Sequence, residues 1–292
     1  MLNRLKEAAG RLFGRAGLVP HRHPPYVTRD WRWRFRPDDE AATILGPALA
    51  GLTPWSATNE PAPPDGELAQ IFLSTPDLQK WMHYLPIYER TLAGLREQPL
   101  RFMEIGVDRG GSLRAWRRYL GPRATLVGID INPACSEYDD PSTDVHVRIG
   151  SQEDAHFLRS VVDEFGVFDV VVDDGSHFTS HVIDSFRFLF PHGLAAGGVY
   201  LVEDLQASYW RHYRNSAKSF IDLAKSLVDV AHSHYQDDGM LEPDFRIGSE
   251  QRRMRITVPL ATRLVESIEF HDGIVVIHKA KPSRELPGSF RT

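Results

Sequence analysis

The chain has 292 residues, 42% hydrophobic and 25% charged, with a formal net charge of −5. That is enough for one large domain with an extension, and the acidic balance argues against a nucleic-acid partner. No apolar run reaches the roughly 20 residues of a membrane span. The single cysteine, Cys135, excludes an intramolecular disulfide and gives no cysteine-based zinc site, so cytoplasmic placement is the expectation.

Residues 1–75 read as an irregular or helical N-terminal extension. Its first twenty residues are basic and helically periodic through Leu2, Leu5, Leu12 and Phe13. They lack the apolar centre and cleavage site of a secretory signal, which favours a helix packed on the domain. Over 29–36, arginines alternate with Trp31, Trp33 and Phe35 at period two, as in a short strand or an aromatic-anchored loop. Pro54, Pro61, Pro63 and Pro64 then discourage regular structure over 53–66. Over 76–97, Trp81, Tyr84, Leu85, Tyr88, Leu92 and Leu95 recur at helical spacing. This stripe reads as core packing, with Pro86 kinking or restarting the helix.

From residue 101 strands alternate with helices. Strands are expected at 101–106, 124–131, 144–149, 168–173 and 198–203, with helices at 112–120, 154–165 and 181–190. Ser151 is placed to cap the helix from 154. Rich in valine and isoleucine without clean alternation, these strands suit a parallel sheet covered on both faces. A helical insert follows at about 217–234. The chain then returns through 267–270, a His271-Asp272-Gly273 turn and 274–279, a hairpin that adds an antiparallel strand. The expected fold is α/β: a doubly wound, mostly parallel sheet with an antiparallel terminal hairpin strand, over a domain at 76–282 with a tail at 283–292.

Ligands of such sheets bind beyond the carboxyl ends of the strands. The first expected strand ends in Glu104, Ile105 and Gly106 and runs through Gly110 and Ser112 into a helix. The second glycine of a pyrophosphate-binding fingerprint is missing, since Gly106 is followed by Val107 and Asp108. A carboxylate at Glu104 instead suits a positively charged ligand such as S-adenosylmethionine, with its ammonium and sulfonium. Asp130, ending the second strand, can accept hydrogen bonds from both ribose hydroxyls. Ser151 and Gln152, after the third, lie where an adenine would rest.

The fourth strand ends in Asp173 and Asp174 and the fifth in Glu203 and Asp204. Four carboxylates on one edge repel one another, and a divalent cation resolves the conflict; oxygen ligands indicate magnesium, with manganese or calcium as substitutes. His177, three residues past Asp174, can reach a substrate hydroxyl held there.

The runs KWMHYLPIYER (80–90), EIGVDRGGSLRAW (104–116), GIDI (128–131), IGSQED (149–154), VVDDGSH (171–177) and GGVYLVEDLQASYW (197–210) resemble the metal-dependent sugar O-methyltransferases of macrolide biosynthesis, of the mycinamicin and macrocin type. The resemblance covers about 76–280. It implies that Asp174, Glu203 and Asp204 hold the metal, that His177 is the general base, and that Glu104, Asp130 and Gln152 contact the methyl donor. Gly106, Gly110, Ser112, Ser151 and Asp173 complete the expected donor site. One departure is Ser151, at a position often acidic in such proteins.

The reading is therefore a donor- and metal-dependent O-methyltransferase of natural product biosynthesis, whose partner is a small hydroxyl acceptor, a glycoside. A homo-oligomer is left open. The insert from 205 to about 239, aromatic at Tyr209, Trp210, Tyr213 and Tyr235, would cover the acceptor as a lid or pack on a neighbouring subunit. The alternatives are a cephalosporin hydroxylase-like oxidative enzyme and a non-catalytic nucleotide-binding module.

Overall fold

Valine- and isoleucine-rich runs pair side by side into a seven-stranded sheet. The computed structural model describes residues 45, 46, 48, 49, 63–235 and 257–285. The expectations for the first twenty residues, for 29–36, and for the ends of the insert and the tail lie outside the described residues.

In chain order the main elements are α1 (Glu67–Leu73), α2 (Leu85–Leu92), β1 (Arg101–Ile105), α3 (Gly111–Leu120), β2 (Thr125–Asp130), β3 (Val145–Ile149) and α4 (Ala155–Phe165). These are followed by β4 (Phe168–Asp173), α5 (Thr179–His192), β5 (Leu194–Val202), α6 (Phe220–Ala231), α7 (Leu260–Leu264), β6 (Val265–His271) and β7 (Ile274–Lys279). The strand order is β3-β2-β1-β4-β5-β7-β6. Strands β1 to β5 pair in parallel, and β7 joins β5 and β6 antiparallel. The chain winds outward from β1 to β3, then crosses back to start β4 on the other side of β1. In sheets of this order, ligands bind at that reversal, outside the ends of β1 and β4.

Alternate residues of each strand enter opposite apolar layers. Phe102, Leu126, Val170, Val172, Leu201 and Val276 pack with α1, α2 and α3, whereas Met103, Val127, Val171, Tyr200, Val202 and Val275 pack with α4, α5 and α6. Apolar residues on both faces explain why the sequence shows continuous runs instead of alternation. Among the described residues, no helix is long and apolar enough to cross a membrane.

Several boundaries differ from the sequence expectation, each for a local reason. Pro86 restarts the helix, sitting in the first turn of α2, where its missing N–H costs nothing. Helix α1, in the segment assigned to the extension, buries Leu68, Ala69, Ile71 and Phe72 in the core. Its Phe72 ring meets Trp116 edge-on at 4.8 Å, and Tyr88 does the same at 5.2 Å. The cap of α4 is Asp154, which accepts from the backbone of His156 and Phe157; Ser151 does not fill that role. Helix α5 runs on through Pro191, and the buried Lys279 ammonium donates to the carbonyls of Pro191 and Leu194 beyond it. Strand β5 begins at Leu194, four residues before its expected start, with a register break between Phe168 and Val170 of its partner.

Candidate active site at the carboxyl ends of the central strands

Ile105 pairs with Asp173, and Asp173 with Val202, so β1, β4 and β5 end level with one another. The sheet pleat then sorts the acidic residues between the two faces. Glu104 and Glu203 share the parity of Phe102 and Leu201 and lie on the α1–α3 side. Asp173 shares the parity of Val171 and faces α5.

On that far side Asp173 is 1% exposed. Its carboxylate accepts from the Ser185 hydroxyl at 2.7 Å and from Gln152 Nε2 at 3.1 Å. Burial pushes its pKa up to about 6, with the Ser185 and Gln152 hydrogen bonds opposing. Gln152 Oε1 accepts from the Ser176 backbone at 2.8 Å, so both ends of this amide are engaged within the protein. Gln152 and Asp173 brace the turn from Gly175 to His177 from beneath. The four strand-end carboxylates thus do not form one group.

On the near side Glu104 is fully buried, accepting from Ser112 Oγ at 2.6 Å and Trp116 Nε1 at 3.1 Å. Ser112 therefore serves Glu104. Burial pushes the Glu104 carboxyl up to about 7, a rise that Lys80 moderates. Gly106 has φ +97°, and a Cβ there would sit 2.2 Å from the Asp174 carbonyl oxygen; glycine lets the β1 and β4 turns touch. Gly110 begins α3 in the left-handed conformation beneath the Tyr138 ring. Asp130 staples the same turn: its Oδ2 accepts from the backbone of Val107 at 2.9 Å and Asp108 at 3.1 Å. Its Oδ1 accepts from Asn132 at 2.8 Å. Each carboxylate oxygen can accept more than one donor, and the residue stays partly exposed at the crevice. Ser151 is also partly exposed, with its Oγ 3.4 Å from the Glu153 nitrogen.

Beyond the strand ends, Asp174, His177 and Asp204 each place one ligand atom within 4.8 Å of the others. His177 Nε2 lies 3.9 Å from Asp174 Oδ1 and 3.7 Å from Asp204 Oδ2. Asp174 and Asp204 are close enough to share a divalent ion of the magnesium or manganese kind, with His177 beside it. Both His177 (φ +57°) and Asp204 (φ +51°) hold left-handed backbone. Such conformations cost about 1–3 kcal/mol at a non-glycine residue and gather at functional sites.

Glu203 stands apart from this triad. It is 3% exposed, and its Oε1 accepts from Lys80 Nζ at 2.6 Å and from the Tyr88 hydroxyl. Lys80 also donates to Asp174 Oδ2 and lies 4.0 Å from Glu104 Oε1. Burial opposes the Lys80 charge, but Asp174, Glu203 and Glu104 outweigh it and hold the ammonium protonated, well above its ordinary range. Burial and Asp174 push the Glu203 carboxyl up, against the pull of Lys80 and Tyr88. Tyr84 reaches Asp204 Oδ1 at 3.0 Å. Burial, with Asp204 beside Tyr84 and Glu203 beside Tyr88, keeps both phenols protonated as donors. The aromatic stripe of 76–97 is thus core at its rings and active-site wall at its hydroxyls. Lys80 opens the run KWMHYLPIYER, but its residue type and spacing alone assign it no role. The available signal was the shortage of positive charge around the strand-end carboxylates, with Lys80 one of three basic candidates in that helical stretch besides Arg90 and Arg96.

The insert divides in two. Helix α6, opened by a Ser219–Asp222 capping box, buries Phe220 and Ala224 against the domain's own sheet, so this part is no lid. The preceding loop borders the site: the Tyr213 ring lies 6.0 Å from His177, and Trp210 lies 6.1 Å from Tyr213. Asn215 binds Thr179 and Ser180 and ties this loop to the start of α5.

The strand order, the crevice and the antiparallel β7 define a Rossmann-like methyltransferase fold. No family model matches the chain. It is 39% identical over 176 residues to 8-demethyl-8-(2-methoxy-alpha-L-rhamnosyl)-tetracenomycin-C 3'-O-methyltransferase of Streptomyces olivaceus, covering 56% of this chain and 43% of that protein. It is 33% identical over 263 residues to mycinamicin VI 2''-O-methyltransferase of Micromonospora griseorubida, covering 82% of this chain and 63% of that protein. Among solved structures, the MycE methyltransferase of the mycinamycin pathway, in complex with Mg, SAH and mycinamycin VI, superposes with a TM-score of 0.58 at 29% identity. That match covers 73% of this chain and 53% of MycE. The chain spans about half the length of the relatives it matches. The resemblance to the sugar O-methyltransferases of macrolide biosynthesis is borne out over the matched stretch.

Proposed function

We propose that this chain is an S-adenosylmethionine- and divalent-cation-dependent O-methyltransferase acting on a sugar hydroxyl of a glycosylated small molecule. The observation that carries the reading is the convergence of Asp174, His177 and Asp204 at the mouth of the β1–β4 crevice, which Glu104 and Asp130 flank. The names of the relatives and the Mg and SAH in the MycE complex support it.

The donor brings a methyl group on a sulfonium, and a cation lowers the pKa of a hydroxyl and fixes its position. The chain's residues do the rest. Asp174, Glu203 and Asp204 would hold the cation. Glu104 faces the donor's ammonium, and Asp130 accepts from its ribose hydroxyls. His177 Nε2 takes the acceptor's proton as the oxygen turns nucleophile. Much of the rate then comes from alignment of the two reactants in one crevice. Tyr213 and Trp210 border the acceptor's side of the site. The mechanism needs no oxidant, which sets it apart from a hydroxylase.

Donor binding tests the reading. Calorimetry with S-adenosylmethionine should show one saturable site. Asp130→Ala should weaken it at least tenfold, since hydrogen bonds to a charged acceptor contribute about 1.5–3 kcal/mol. Loss of the staple on Val107 and Asp108 adds to the effect. Unchanged donor affinity in the variant removes Asp130 from the site, and no binding by the wild type removes the methyltransferase reading.

A further inference from the structure

We infer that the Lys80 ammonium is an internal counter-cation that exchanges with the divalent ion, giving up Glu203 when the ion binds. This rests on the proposed cation site and concerns how that site is charged. Lys80 and Glu203 are both almost wholly buried, with side-chain exposures of 4% and 1%. A carboxylate so placed is costly without a partner, and Lys80 supplies one. The ammonium also holds Asp174 by Oδ2, leaving Oδ1 to face His177 and Asp204.

Asp174 thus stands between two positive positions. One is filled by Lys80, and the other is the space among Asp174, His177 and Asp204. The third carboxylate proposed for the cation, Glu203, is bonded to Lys80 at 2.6 Å and not gathered with the triad. A divalent ion that recruits Glu203 must draw it off Lys80, against the repulsion of a buried ammonium sharing the same aspartate. In a low-dielectric site, like charges separated by the width of one carboxylate repel strongly. Lys80 therefore lowers cation affinity while neutralising the buried carboxylates of the fold. Glu104 Oε1 lies 4.0 Å from Nζ, so the ammonium keeps a carboxylate beside it without Glu203.

The test is magnesium and manganese titration of the full chain by calorimetry, without donor or acceptor, for wild type, Lys80→Met and Lys80→Arg. Lys80→Met keeps length and removes charge, and it should bind the ion at least about tenfold more tightly than wild type. Lys80→Arg keeps the charge and should bind no more tightly than wild type. Equal or weaker binding by folded Lys80→Met overturns the inference, because a residue that only orders the carboxylates would be missed by the ion. If Lys80→Met does not fold, the Lys80 ammonium resonance of wild-type protein decides. It should shift on magnesium titration in step with binding, and an unmoved signal at saturation overturns the exchange. Absence of ion binding by every form would instead sink the cation site itself.

Discussion

His177→Ala is expected to lower turnover by about 10²–10⁴-fold, the usual worth of positioned proton transfer, while the protein stays folded and keeps cation and donor. The imidazole is held beside Asp174 and Asp204 on left-handed backbone, against the Tyr213 ring. Alanine fits that backbone poorly, so His177→Asn is the companion variant, since asparagine tolerates it better and is no base. Both should lose turnover alike. The same geometry allows Nε2 to be a ligand, and cation titration separates the roles. Loss of cation affinity in both variants assigns His177 to the ion. Near-normal turnover in both removes it from proton transfer.

Removal of the cation should have an effect of at least similar size. Excess chelator is expected to lower turnover by at least about 10³-fold, because Lewis-acid stabilisation contributes several kcal/mol to such a transition state. Magnesium should restore it. Donor affinity should change little, since Glu104 and Asp130 stand on the β1 and β2 side and the triad on the β4 and β5 side. Asp174→Ala should lose cation affinity and activity together, with partial rescue by added magnesium. Full activity in chelator, with metal shown to be absent, would contradict the role of the triad.

The parts of this site legible in the sequence are those fixed by strand ends. Strand β4 ends at Asp173 and β2 at Asp130, because valine- and isoleucine-rich runs stop at charged residues and strand ends face the crevice. The hairpin of β6 and β7 was equally plain from its Asp272-Gly273 turn. Pleat parity decides the fate of the acidic pairs, and it is read only once strand ends are fixed to the residue. Asp173 and Asp174 are neighbours in sequence, yet one binds Ser185 and Gln152 and the other binds Lys80. Gln152 offers a donor and an acceptor, which suits an adenine edge, and in the fold the same amide joins Asp173 to the Ser176 backbone, a link that sequence spacing does not show.

Lys80 was hidden for a different reason. Lys80 begins a run that resembles the family, but a lysine between Gln79 and the half-exposed Trp81 shows no sign of burial, which follows from α2 bringing Tyr88 over the end of β5. Helix α1 was obscured by its seven-residue length and by the prolines before it. Its role is tertiary, since Phe72 has value only against Trp116.

The central claim is methyl transfer from the donor to an acceptor oxygen, and mass analysis with an isotopically labelled donor tests it most directly. The wild-type protein, magnesium and S-adenosylmethionine carrying a deuterated methyl are incubated with a panel of glycosides bearing vicinal sugar hydroxyls. The expected product carries one labelled methyl on a sugar oxygen, forms in proportion to protein, and disappears in chelator and in His177→Asn. An acceptor gaining an oxygen in place of the methyl, or no label on any hydroxyl although donor and cation are shown to be bound, would contradict the account.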